Sequence, residues 1–195
     1  GMAREALRRA VAEQTGRVAI TSFASNVARV QSACEAARAN DRSVCLVGRS
    51  MFRIVGAAQS VGLLKGFEFI SPEDAADLPG HHVLYLCTGS QGEPNAALAR
   101  IARGDHPSVK LGADDTVIFS SRVIPGNERA IGEIQNTLAE RNIKLVTARQ
   151  FDIHVSGHPC RDELRRMYMW ARPQIAVPVH GERRHIMEHA RYAKS

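Results

Sequence analysis

The chain has 195 residues, 44% of them hydrophobic and 24% charged, with 26 Lys+Arg against 20 Asp+Glu and a formal charge of +6. That length supports one sizeable core, at most a domain plus an appendage, and the composition is that of an ordinary globular protein. No apolar run approaches the roughly 20 residues of a membrane span and no secretory signal is read, so the expectation is a cytoplasmic protein with no membrane partner.

In chain order, a leading helix over about 3–14 lies within a 1–16 lead-in segment and precedes a first strand, "RVAIT" at 17–21. "SNVARVQSACEAARA" (25–39) carries apolar residues at helical spacing, with Ser25 or Asn26 able to cap it. "SVCLVG" (43–48) reads as a second buried strand and "SMFRIVGAAQSVG" (50–62) as a second helix closed by Gly62. "HVLYLCTG" (82–89) is a third strand, and its helix is expected over 92–102 with Pro94 in the first turn. "DTVIFSS" (115–121) pairs with a helix over 127–140, followed by a short strand at 144–148. The tail reads as helix 161–171, strand "QIAVPV" at 174–179 and helix 182–193.

Strands alternating with helices of this length predict an α/β fold: a Rossmann-like, mostly parallel sheet with helices on both faces. In such sheets ligands bind beyond the carboxyl ends of the strands, where helix N-termini offer N–H groups to anions. The segments expected there are "SFASN" (22–26), "GRSM" (48–51), "TGSQGEP" (88–94), "SSRVIPGNE" (120–128), "HVSGH" (154–158) and "HGE" (180–182). Each alone is an ordinary turn composition; six in one chain point to a site. Neither the G-x-x-x-x-G-K-[ST] of a P-loop nor a G-x-G-x-x-G fingerprint is present.

An extended "HVSGH" would place His154, Ser156 and His158 on one side, with Gly157 allowing close approach to the backbone. Two imidazoles and a hydroxyl suit a phosphate oxyanion and proton transfer, or a hydrogen-bonded structural turn. His180 alone is a poor zinc site, and His185 and His189 read as a solvated helix face. The four cysteines, Cys34, Cys45, Cys87 and Cys160, show no C-x-x-C and are expected as buried apolar residues. The positive charge favours a polyanionic partner.

"FASNVARV", "VGRSM", "LCTGSQGEP", "DTVIFSSRVIPGNE", "HVSGHPCRDEL" and "PVHGE", in this order, resemble the β-CASP part of the bacterial ribonuclease J family, RNA-processing enzymes of the metallo-β-lactamase superfamily. The resemblance implies a β-CASP domain over 17–158 and, over 159–195, a helix–strand–helix segment of the metallo-β-lactamase domain. It implies zinc-activated water attacking an RNA phosphodiester, in 5′-to-3′ exonuclease or endonuclease modes. By motif, His158 matches a proton-transfer residue, and His154, Val155, Ser156, Gly157 and His158 match a segment holding phosphate and nucleotide. Phe23, Ala24 and Ser25 match a second nucleotide-contacting segment, Phe23 offering an aromatic face to a base. His180 matches a zinc ligand.

The family's H-x-H-x-D-H motif has no counterpart here, because the sequence contains no H-x-H. The chain therefore reads as a C-terminal fragment that binds single-stranded RNA, holds no zinc of its own and does not cut alone. The rival readings are a stand-alone, non-catalytic RNA- or nucleotide-binding module, and an interaction fragment that self-associates into a homo-oligomer where the metallo-β-lactamase domain is missing.

Overall fold

The computed structural model describes residues 2–147, 150, 159–179 and 181–194. The chain divides into two compact units, Gly1–Val155 and Ser156–Ser195. The first holds six strands, β1 (Val18–Thr21), β2 (Ser43–Val47), β3 (Phe69–Ile70), β4 (Val83–Cys87), β5 (Thr116–Phe119) and β6 (Lys144–Val146). Its helices are α1 (Met2–Ala12), α2 (Val27–Ala39), α3 (Arg49–Ser60), α4 (Pro72–Asp77), α5 (Ala97–Arg103) and α6 (Glu128–Glu140).

The strands form one sheet in the order β3-β2-β4-β1-β5-β6, and every pairing is parallel. All carboxyl ends therefore fall on one edge. Side chains alternate along each strand, so Val18, Ile20, Leu84, Leu86 and Ile118 pack with Leu7, Val30 and Met51 of α1–α3. Ala19, Tyr85, Cys87, Val117 and Phe119 face the other way, against Ala75, Leu98, Ile134 and Leu138 of α4–α6. The near-continuous apolar runs in the strands follow from this burial on both faces.

The start of α5 differs from expectation: it begins at Ala97, with Pro94 outside it. Gly92, at φ +82°, reverses the chain, and the Ala96 amide donates to the Glu93 carbonyl (3.1 Å), so 92–96 forms turns before the helix starts. The stretch 63–81, without a predicted element, holds β3 and α4. Ser71 accepts from the Asp74 amide and Pro72 sits in the first turn, an ordinary N-terminal cap.

In the second unit α7 (Arg161–Ala171) and α8 (Arg183–Ala193) lie as expected. The strand predicted at 174–179 does not form: those residues are unpaired, and Pro178 has no amide to give to a ladder. His189 is half-buried rather than on a solvated face: its Nε2 lies 2.8 Å from the Tyr168 hydroxyl of α7, whereas His185 is exposed as expected. Among the described residues no helix is long and apolar enough to cross a membrane.

Candidate functional site

At the amino edge of the sheet a buried arginine is tied to backbone carbonyls. The guanidinium of Arg42 donates to the carbonyls of Gly16 (2.8 Å), Gln14 (2.6 Å) and Val83 (3.0 Å). The carboxyl edge is different, and there the connections leave the sheet toward opposite faces: β1 and β2 lead into α2 and α3, β4 and β5 into α5 and α6. In open α/β sheets, connections that diverge in this way mark the edge where ligands bind.

Phe23, Ala24 and Ser25 lie in the connection from β1. The Asn26 amide donates to the Phe23 carbonyl (3.1 Å), closing a turn with Ala24 and Ser25 at its corner. Asn26 Oδ1 then accepts from the Arg29 amide (3.0 Å) and starts α2, so the same asparagine ends the turn and caps the helix. Ala24 packs on the core while Ser25 is exposed, and Phe23 is 37% exposed.

Gly48 closes β2 at φ +107°, and a Cβ there would lie 2.6 Å from Thr88 Oγ1, so only glycine lets the ends of β2 and β4 approach this closely. Gln91, buried beyond β4, ties two connections together: its Nε2 donates to the Arg122 carbonyl (2.9 Å), and its Oε1 accepts from the Ile124 amide (2.9 Å) and Asn127 Nδ2 (3.2 Å). The carboxylates at this edge are turned to backbone, Glu93 accepting from the Gln91 amide (2.9 Å) and Glu128 from the Gly126 amide (2.7 Å).

The cations are left over. Among the described residues no carboxylate pairs with Arg29, Arg49, Arg53 or Arg122, all in segments that begin at this edge. Arg29 is only 6% exposed, and burial lowers its pKa. The edge is thus rich in unpaired positive charge and hydroxyls, the chemistry of a phosphate-bearing ligand.

A family model described as ribonuclease J, β-CASP domain, matches residues 15–138, and one described as Zn-dependent metallo-hydrolase RNA specificity domain matches residues 143–195. The chain belongs to the ribonuclease J family. It is 50% identical over 187 residues to the ribonuclease J of Sinorhizobium meliloti, covering 95% of this chain and 33% of that protein. It is 44% identical over 182 residues to that of Corynebacterium glutamicum, 92% of this chain and 25% of the relative. With the Mycolicibacterium smegmatis ribonuclease J it shares 42% over 191 residues, 97% and 34% of the two. The chain thus spans a quarter to a third of the length of these relatives. The all-parallel α/β sheet agrees with the β-CASP fold expected from the motifs.

His154, Val155, Ser156, Gly157, His158 and His180 lie outside the described residues. Among the described ones, no three His, Cys, Asp or Glu side chains gather as a metal site, so these residues by themselves do not fit a zinc ion. Cys34, Cys45 and Cys87 are buried, and desolvation pushes their thiols up to about 12, 11 and 12, far from thiolate chemistry. Cys160 is exposed, contrary to expectation, because it stands at the N-terminal cap of α7, where its amide donates to Glu163 Oε2 (2.9 Å). Sequence reading passed over Arg29 and Gln91; a basic residue three positions after a capping Asn and a Gln between two edge glycines were the available signals.

Proposed function

We propose that this chain is the RNA-gripping part of a zinc-dependent ribonuclease J-like enzyme of the cytoplasm, which hydrolyses RNA phosphodiesters in 5′-to-3′ exonuclease or endonuclease fashion. The observation that carries this reading is the carboxyl edge itself, where the connections hold an exposed Phe23 and arginines that no carboxylate pairs with among the described residues, in a chain of this family. Phe23 stacks a base, Ala24 and Ser25 shape the turn that presents it, and the arginines attract the phosphates. His154, Val155, Ser156 and Gly157 hold the phosphate and nucleotide, and His158 moves a proton at the scissile phosphate. His180 is a zinc ligand of the intact enzyme, in which zinc supplies the activated water. The apolar side chains exposed on the second unit, Trp170, Ile175, Val177 and Val179 among them, face the metallo-β-lactamase part.

A second reading, a module that binds RNA without cutting it, applies to the chain by itself, whose sequence carries no H-x-H motif. Incubating the purified chain with zinc and a 5′-monophosphorylated single-stranded RNA separates the two. Salt-sensitive binding without products is the expected result; chelator-sensitive cleavage would show that the chain is a complete nuclease, and affinity indifferent to Phe23, His154 and Ser156 would remove the proposed RNA site.

A further inference from the structure

Among the described residues, the buried side-chain oxygens without a hydrogen-bond partner are those of Thr21, Ser22, Ser120 and Ser121. They are not scattered: all four stand at the carboxyl ends of β1 and β5, two neighbouring central strands. Thr21 has the Cys87 thiol beside it, which leaves the three serines. Ser22 and Ser120 are 2% and 3% exposed. Unpaired buried hydroxyls are costly and rare in folded proteins, and alanine would fill these positions without that cost.

The ladder fixes where they sit. The Ser22 amide donates to the Cys87 carbonyl (3.4 Å) and the Ser120 amide to the Thr21 carbonyl (3.0 Å), so the sheet continues one residue past the strand ends. Ser22 and Ser120 follow the paired residues Thr21 and Phe119 and are neighbours at one level, about 4.8 Å apart across the sheet. Two hydroxyls at that spacing can donate to two oxygens of one phosphate group. Between these strands the connections diverge, β1 to α2 on one face and β5 to α6 on the other. The first turn of α2 carries Arg29, which is 6% exposed and has no ion-pair or side-chain hydrogen-bond partner among the described residues. A largely buried arginine whose guanidinium still reaches solvent and two neighbouring hydroxyls without partners, all at the carboxyl-end connections, are groups that one phosphate can engage together.

We infer that the carboxyl edge over β1 and β5 holds a phosphate of the RNA chain on Ser22, Ser120 and Arg29, a contact separate from those of Phe23 to Ser25 and of residues 154–158. The inference rests on the preceding functional reading for the owner of the phosphate, and on the serines and Arg29 for the site.

The test is titration of the 195-residue chain, followed through backbone amide resonances, with inorganic phosphate and with a 5′-monophosphorylated oligouridylate. Both probes shift the Ser22 and Ser120 amides saturably. Ser22→Ala, which removes an unsatisfied hydroxyl, keeps or raises Tm yet weakens oligonucleotide binding about tenfold, as loss of a hydrogen bond to a charged group does. Ser120→Ala repeats this if Ser22→Ala misfolds, and Arg29→Gln weakens both probes. Inorganic phosphate binding without RNA binding would uphold the phosphate floor and sink the RNA reading. Sensitivity to His158→Ala with indifference to the Ser22, Ser120 and Arg29 variants would overturn the inference and leave the RNA reading standing. A drop in Tm for both serine variants with unchanged affinity would show that ordered water alone satisfies the hydroxyls, and would overturn it too.

Discussion

Replacing Gln91 tests whether the candidate site is organised as described. Its side chain joins the connections after β4 and β5 by three hydrogen bonds, to the Arg122 carbonyl, the Ile124 amide and Asn127 Nδ2. Each such bond is worth about 0.5–1.5 kcal/mol net, and the backbone partners here lie in a partly exposed loop that water can reach in its place. Gln91→Ala should therefore cost about 2 kcal/mol. With an m-value of about 2 kcal/mol/M, the urea midpoint followed by far-UV circular dichroism moves down by about 1 M. The Ile124 amide should lose protection from hydrogen exchange while amides of β4 keep theirs, because the loss is local. Gln91→Glu keeps the shape but sets a carboxylate oxygen against the Arg122 carbonyl, and should be at least as destabilising at neutral pH. A midpoint shift under about 0.2 M, with Ile124 exchange unchanged, would refute the claim that Gln91 holds the two connections together.

Gly92→Ala should cost about 3 kcal/mol or more in urea unfolding, since a Cβ there meets the Ala130 carbonyl carbon at 2.6 Å on a left-handed backbone; Gly126→Ala, equally left-handed but in open space, should cost only about 1 kcal/mol. His106 takes the amides of Ser108 and Val109 on Nδ1, and its burial, with Arg100 and Lys110 nearby, lowers its pKa. The native state thus favours neutral imidazole: the contribution is present above the unfolded value of about 6.5 and is lost as pH falls through the lower folded value, so a thermal melt of His106→Asn should show a shallower decline there than the parent. A thiol reagent should label Cys160 in the native chain within the mixing time, and Cys34, Cys45 and Cys87 only on unfolding.

Most of the sheet was legible because its signal is local: "SVCLV" and "VLYLC" are apolar runs that only a strand buried on both faces explains. The carboxyl-edge placement of Phe23, Ala24 and Ser25 followed from strand–helix alternation alone. What escaped depends on contacts. β3 is two residues long and exists only by pairing with β2, and α4 is a single capped helix of six residues. The 174–179 run has the β-branched composition of a strand, but composition cannot supply a neighbour to pair with. Arg29 and Gln91 escaped for a related reason. A buried arginine with no partner among the described residues and a glutamine spanning two loops are properties of the assembled edge, whereas Arg42 and Arg29 look alike in sequence and differ in the carbonyls that surround them.

The central claim is that this carboxyl edge grips RNA by its phosphates and a stacked base. Its most direct measurement is the affinity of the chain for a 5′-monophosphorylated oligoribonucleotide as a function of salt, for the parent and for Phe23→Ala. The account predicts that affinity falls log-linearly with salt, and that Phe23→Ala loses about 1–3 kcal/mol of binding at every salt concentration with the slope unchanged, because stacking is not electrostatic. Binding that ignores salt, or a Phe23→Ala chain that binds as tightly as the parent, would contradict it.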